Sequence, residues 1–240
     1  MAISQDEFFG FILPIVFGTM KSNNKKIIEF GNSTWGDDWD YECGKYGNIT
    51  TEKPSDHPIN FWIQQGVDYF PVDINGINSY HHDLQKPLPK DVLNTFNYLI
   101  DMGTVEHVKK QYPVWKNCHD AVKKEGYMLH SLPLIGWWQT HCYHWYTMDF
   151  FKKLAKACNY KLIMLSEEKA CRPFFDTNPD YQIFACFKKQ EEKQFISEEE
   201  FSKIWVDSKC KTDYEVVNSR PVHGIPNIKE LEDKLGKLDV

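Results

Sequence analysis

The chain lacks a long hydrophobic run. Its most apolar N-terminal stretch, Phe8 to Phe17, is too short to span a bilayer and contains Pro14. Asp6 and Glu7 stand before it, where a secretory signal would carry basic residues and later a small-residue cleavage site. We expect an amphipathic or buried helix packed on the domain, in a cytoplasmic protein with no membrane partner. Asn32-Ser33-Thr34 and Asn48-Ile49-Thr50 match the glycosylation sequon, and without a secretory signal both read as chance matches. Cysteines in CxxC spacing are absent as well. The 7 cysteines are scattered and odd in number, which fits reduced thiols and argues against a disulfide framework or a zinc ribbon. An excess of basic charge is also missing. The net charge of −6 argues against a general nucleic-acid binder, which needs a basic face to neutralise phosphates.

What remains is ample for a globular protein. Hydrophobic residues make up 42% and charged residues 26%, ordinary for a protein with a real core, and 240 residues are enough for one generous α/β domain or two small ones. Aromatics are unusually many at 15%, so some rings are expected to line a pocket as well as fill the core.

The pattern along the chain alternates between strands and helices. Lys25 to Phe30 (KKIIEF) reads as a buried parallel strand closed by Gly31. A long loop follows, Gly31 to Pro58, and a short helix is expected over Asn60 to Gln65. Further strands are expected at Val67 to Ile74, despite Pro71, at Ile77 to Leu84 and at Phe96 to Met102. Val105 to Ala121 looks helical, Tyr127 to Leu132 extended, and Pro133 to Thr140 a loop. Thr147 caps a helix over Met148 to Cys158. Lys161 to Ser166 and Tyr181 to Phe187 have no full helix between them and are expected as antiparallel neighbours at the sheet edge. Ser197 with Glu200 forms a capping-box signature for a helix to Trp205, and a polar helical segment is expected over Asn227 to Leu238. The fold class is therefore α/β: a Rossmann-like open sheet, mostly parallel with an antiparallel last strand, with helices on both faces.

In such a sheet, ligands sit at the carboxyl ends of the strands. Those ends carry Glu29 and Gly31, then Asp73, Asp83, and Gly103 to His107. A glycine lets backbone approach a ligand, and an acid after the second strand can accept from both hydroxyls of a ribose. In order, IIEFGNS, YFPVDI, HHDLQKPLP, LIDMGTVEHV, GYMLHSLP and HCYHWYTMDFFKKL resemble the successive motifs of class I S-adenosylmethionine-dependent methyltransferases, over roughly Lys26 to Phe187. Two departures stand out. Gly31 is followed by Asn32-Ser33-Thr34-Trp35 instead of a glycine-rich loop, and Lys123-Lys124-Glu125-Gly126 lacks the usual proline.

The resemblance implies a cofactor, S-adenosylmethionine, with S-adenosylhomocysteine as product. It places Glu29, Gly31, Asn32 and Ser33 beside its amino-acid end, Asp73 and Ile74 at the ribose, Asp83 and Leu84 around the adenine, and Met102 and Gly103 beneath it. Glu106 and the rings of Trp137, Trp138, Tyr143, Trp145 and Tyr146 would face the substrate, a small polar acceptor such as a sugar. His107, His141 and His144 are the candidate general bases, because imidazole titrates near neutrality. Plainer readings stand beside these: Asp73 and Asp83 as turn acids, His107 as a helix-terminal residue, and at least half of the rings as core. The spacing of His81, His82, His141 and His144 matches no standard ligand motif, and no metal is expected. Residues 1–190 are expected as the methyltransferase domain and residues 191–240 as a charged helical extension packed on it, with room for a homodimer. Two other functions compete. One is a non-catalytic partner subunit of the same fold, motivated by the thin glycine loop. The other is a nicotinamide-dependent oxidoreductase, against which the missing GxGxxG counts.

Overall fold

A computed structural model describes residues 2–19, 25–36, 39, 53–170 and 180–214. Its centre is a seven-stranded sheet built from β2 (Lys25–Phe30), β4 (Val67–Asp73), β5 (Tyr80–His81), β6 (Phe96–Met102), β7 (Val122–Pro133), β9 (Tyr160–Lys169) and β10 (Tyr181–Lys189). The strands lie in the order β5-β4-β2-β6-β7-β10-β9. The first five are parallel, and β10 runs antiparallel to both β7 and β9. This is the Rossmann-like open sheet expected from the sequence, with its antiparallel pair at one edge. The order reverses between β2 and β6, which makes their carboxyl ends the topological switch point, the place where open α/β sheets hold ligands.

Short strands flank this sheet. β1 (Ala2–Ile3) pairs with β3 (Thr34–Trp35), and β8 (His144–Trp145) pairs with β11 (Lys211–Thr212). One face of the large sheet is covered by α4 (Gln111–Ala121), α5 (Met148–Ala157) and α6 (Glu198–Asp207), whose Val114, Trp115, Phe150, Phe151, Leu154, Phe201 and Ile204 are buried with Ile28, Leu99 and Met128. The other face is covered by the N-terminal helical segment and α3 (Pro58–Gln64). There Phe8, Phe11, Ile12, Val16 and Trp62 pack on Ile27, Ile100 and Leu129. The N-terminal apolar run is thus a buried helix, as its composition predicts. It comprises α1 (Gln5–Glu7), a wider π-helical stretch Phe8–Ile12, and α2 (Leu13–Thr19). The widening precedes Pro14, which donates no hydrogen bond and crowds the carbonyl four residues back.

Some expectations are corrected. The strand expected over Ile77 to Leu84 shrinks to the two residues of β5. Asn78 takes a positive φ of 50° just before it, and the amide of Gln85 bonds the Asp83 carboxyl just after it, so turns replace the strand on both sides. The short reach of β5, which pairs only with Val72 and Asp73, leaves Pro71 facing no strand on that side and explains why proline is tolerated. The helix expected over Val105 to Ala121 divides into a 3-10 turn at Val105–His107 and α4 from Gln111. Pro113 then falls in the first turn, where its missing N–H costs nothing. The segment expected as a helix over Asn227 to Leu238 lies outside the described residues. Among the described residues no helix is long and apolar enough to cross a membrane.

The predicted caps are present. Thr147 Oγ1 accepts from the amide of Phe150 at 3.3 Å and donates to the carbonyl of Ser208 at 2.8 Å, tying α5 to the end of α6. Ser197 Oγ accepts from the amide of Glu200 at 3.2 Å. Thr147→Ala is expected to cost about 1–2 kcal/mol in urea denaturation, more than Ser197→Ala, because it removes a cap and an inter-helix tie together. An unchanged denaturation midpoint would remove this role from Thr147.

Candidate functional site

The carboxyl ends of β2 and β4 are stitched together by backbone amides. Gly31 turns with a φ of 92°, and its amide donates to the carbonyl of Val72 at 2.7 Å. A side chain at that φ would be strained, so glycine is required there. The next amide, that of Asn32, donates to Asp73 Oδ2 at 3.2 Å, and the amide of Asn75 donates to Asp73 Oδ1 at 2.9 Å. Asp73 therefore clamps both turns while its partly exposed carboxylate keeps acceptor capacity. Beside it, Ile74 and Ile77 are each 66% exposed, apolar surface that the core does not use. Asn32 Nδ2 donates to the carbonyl of Ile77 at 2.6 Å and closes this corner.

Glu29 and Ser33 lie beneath the turn. Glu29 is 1% exposed, and its Oε2 accepts from the amide of Ser33 at 3.4 Å. Burial pushes the Glu29 carboxyl up to about 7. Both residues brace the loop from inside. Asp83 accepts from the amide of Gln85 at 3.0 Å, which holds its carboxyl below the usual range. Leu84 and Met102 are buried in the two core clusters, so the fold uses them as packing, and the cofactor contacts expected of their side chains are corrected accordingly.

The end of β6 supplies the second wall. Gly103 also turns at a φ of 92°. Asp101 Oδ1 accepts from the amides of Thr104 and Val105 at 3.0 and 3.2 Å, and Oδ2 meets His130 Nδ1 on β7 at 2.8 Å. Thr104 Oγ1 donates to the carbonyl of Phe30, which ties this turn to the end of β2. On the opposite face, Ser131 Oγ donates to Glu7 Oε1 at 2.6 Å, so the N-terminal helix is anchored to the same edge. The turn ends in Glu106 and His107. Glu106 is 2% exposed, and burial together with the neighbouring Asp101 carboxyl raises its pKa well above the usual range. His107 Nε2 lies 3.8 Å from Glu106 Oε1, and packing lowers His107 to about 4 although its side chain is 36% exposed.

Folding brings His141 to this turn. Its ring centroid is 4.9 Å from that of His107, and Trp138 packs on its other side at 5.1 Å. Trp138 itself is pinned by Asp180 and by the carbonyl of Tyr181. His144 is placed differently. It is buried, with Nδ1 on Thr212 Oγ1 at 3.0 Å and Nε2 on the carbonyl of Lys109 at 3.2 Å. A carbonyl needs a donor, so Nε2 carries the proton and Nδ1 is taken up as an acceptor. Both nitrogens are committed, which corrects its assignment as a base. Tyr146 is fully buried and donates to Gln111 Oε1 at 2.6 Å. Trp145 is buried under the β8–β11 pair, with Lys211 over its ring at 4.9 Å. Those two rings are structural, which corrects their reading as substrate contacts, while Trp137, Trp138 and Tyr143 keep partly exposed faces. Tyr143 also donates its amide to the carbonyl of Glu106 at 3.1 Å.

Three residues escaped the sequence reading: Asp101, His130 and Glu7. A charged residue inside the apolar run FNYLIDM was the available signal for Asp101. Nothing local marks its partner.

No protein-family model and no curated protein matches the sequence. Solved structures are similar to part of it. A S-adenosylmethionine-dependent methyltransferase from Methanosarcina mazei is 11% identical over 75% of this chain and 99% of its own, with a TM-score of 0.47. The 1,6-didemethyltoxoflavin-N1-methyltransferase of Burkholderia thailandensis, solved with bound 1,6-didemethyltoxoflavin and S-adenosylhomocysteine, is 10% identical over 75% of each chain, with a TM-score of 0.43. The CMeT domain structure of the citrinin polyketide synthase is 14% identical with a TM-score of 0.41, and this chain covers 47% of it. At these identities the reading of the site rests on its own geometry.

Proposed function

We propose that the protein is a S-adenosylmethionine-dependent methyltransferase acting on a small polar acceptor, a sugar or related hydroxyl-bearing metabolite. The observation that carries this reading is the corner where Asp73, at the end of β4 and clamped to the amide of Asn32 after β2, stands beside exposed Ile74 and Ile77, one strand from the point where the strand order reverses. A ribose needs an acceptor for its hydroxyls, and an adenine needs an apolar face. Both lie next to the Gly31 turn, where the backbone can approach a ligand closely.

The cofactor supplies an electrophilic methyl group on a sulfonium. The chain's own residues would bind and orient. Gly31, Asn32 and Gly103 present backbone to it, with Glu29 and Ser33 bracing the loop behind. Asp73 would hold the ribose, and Ile74 and Asp83 would border the base. The acceptor would lie along Glu106, His107 and His141, with Trp137, Trp138 and Tyr143 offering ring faces for a sugar. Alignment contributes much of the rate in such a transfer. His107 or His141 would take the proton that an acceptor hydroxyl loses, a role for which a neutral imidazole is required.

Calorimetry with S-adenosylhomocysteine tests the reading. The wild type is expected to bind it, and no binding at millimolar ligand would sink the proposal. Asp73→Ala is expected to weaken binding by roughly 10- to 100-fold, the equivalent of one or two hydrogen bonds to a charged acceptor. Asp83→Ala is expected to do less. Equal and negligible effects would remove Asp73 from the ribose.

A further inference from the structure

Glu106, His107 and His141 bring a carboxylate oxygen and two imidazole nitrogens within 4.8 Å of one another. We propose that these three residues form a binding site for a divalent first-row transition-metal ion beside the switch point. The carboxylate points to a missing partner, since Glu106 is 2% exposed and its Oε2 is buried without a hydrogen bond. Two turns deliver the ligands. The Asp101 carboxyl fixes the turn that carries Glu106 and His107. The loop that carries His141 holds Trp138 and Thr140 at positive φ, 53° and 63°, a conformation costly for non-glycine residues and found where a side chain must be aimed.

The spacing fits a loosely assembled shell. Ligands about 2.1 Å from a common ion stand roughly 3–4 Å apart, so rotamer changes of about 1 Å at His107 and His141 close it. Two imidazoles and one carboxylate suit manganese, iron, cobalt or zinc better than magnesium or calcium, which prefer all-oxygen shells. Three protein ligands also leave positions open for a further oxygen. The binding claim stands on this geometry alone. What the ion would do, holding an acceptor hydroxyl oxygen beside the methyl donor, rests on the methyltransferase reading. With the ion bound, the two imidazoles would act on the acceptor through it instead of taking its proton directly.

The test uses the full chain freed of metal with EDTA and titrated with Mn2+, following loss of the electron paramagnetic signal of the free ion. Mn2+ is chosen because the 7 cysteines would attract softer ions. One ion per chain is expected. His141→Ala and His107→Gln should each weaken uptake by at least about tenfold, while His81→Ala on β5 should leave it unchanged. Circular dichroism confirms that each variant is folded, and two substituted positions keep the test decisive if one fails to fold. Absence of uptake by the wild type overturns the site, and so does uptake that survives intact in both ligand variants. Parallel titration with S-adenosylhomocysteine separates the two proposals. Nucleoside binding without Mn2+ uptake removes the ion site alone, and Mn2+ uptake without nucleoside binding removes the methyltransferase reading alone.

Discussion

His130→Ala is expected to destabilise the protein by about 3–5 kcal/mol, the combined cost of leaving a buried carboxyl oxygen without its partner and of opening a cavity in the core. Asp101 and His130 are both 0% exposed, and the 2.8 Å contact between them is the only bond that the structure gives Asp101 Oδ2 among the described residues. Truncating the imidazole strands that oxygen in the core and empties space against Trp115, whose ring lies 4.7 Å from the imidazole. For a chain of this size the loss corresponds to a fall of about 6–20 °C in Tm. The stranded carboxylate and the cavity can be told apart. The double variant Asp101→Asn with His130→Ala keeps an acceptor for the amides of Thr104 and Val105 but carries no charge. It should recover a substantial part of the lost stability in urea denaturation. A double variant no more stable than His130→Ala would assign the cost to the cavity. The same substitution loosens the turn that presents Glu106 and His107, so it should reach the site as well as the core.

How far the sequence foretold this molecule depends on whether the relevant signal is local. β2, β4, β6 and β10 are apolar runs closed by turns, and each was legible because burial on both faces leaves a continuous signature. β5 was overcalled because apolar Ile77 and Tyr80 resemble a strand, whereas they are exposed around a corner. Asp73 was legible as the first polar residue after such a run. The Asp101–His130 pair was not, since its members are 29 residues apart and meet only when β6 and β7 align. His141 shows the same limit from another direction. Its approach to His107 depends on left-handed backbone at Trp138 and Thr140, which those residue types do not advertise. The ring cluster misled for a third reason. Composition counts aromatic surface without saying which face is covered, so buried Trp145 and Tyr146 looked equivalent to partly exposed Trp137 and Trp138.

Glu29→Gln is expected to make the protein more stable at alkaline pH and to leave it nearly unchanged below about pH 4. Burial at 1% exposure raises the carboxyl to about 7 in the folded protein, against 4.5 for an ordinary glutamate. Between those values the folded chain holds a proton that the unfolded chain has released. The linkage slope is then negative: the stability associated with this proton is complete below about pH 4.5 and is lost as the pH rises through about 7. At about 1.4 kcal/mol per pH unit, the gap amounts to about 3 kcal/mol, spent on an ionised side chain in the core at pH 8.5. Glutamine keeps the carbonyl that accepts from the amide of Ser33, so the loop keeps its brace, and it cannot ionise. Every other titrating group is common to both chains, so the difference between their denaturation free energies isolates Glu29. That difference should open from near zero at about pH 4 toward about 3 kcal/mol at about pH 8.5. Two parallel stability curves over the same range would show that Glu29 is not the buried acid responsible.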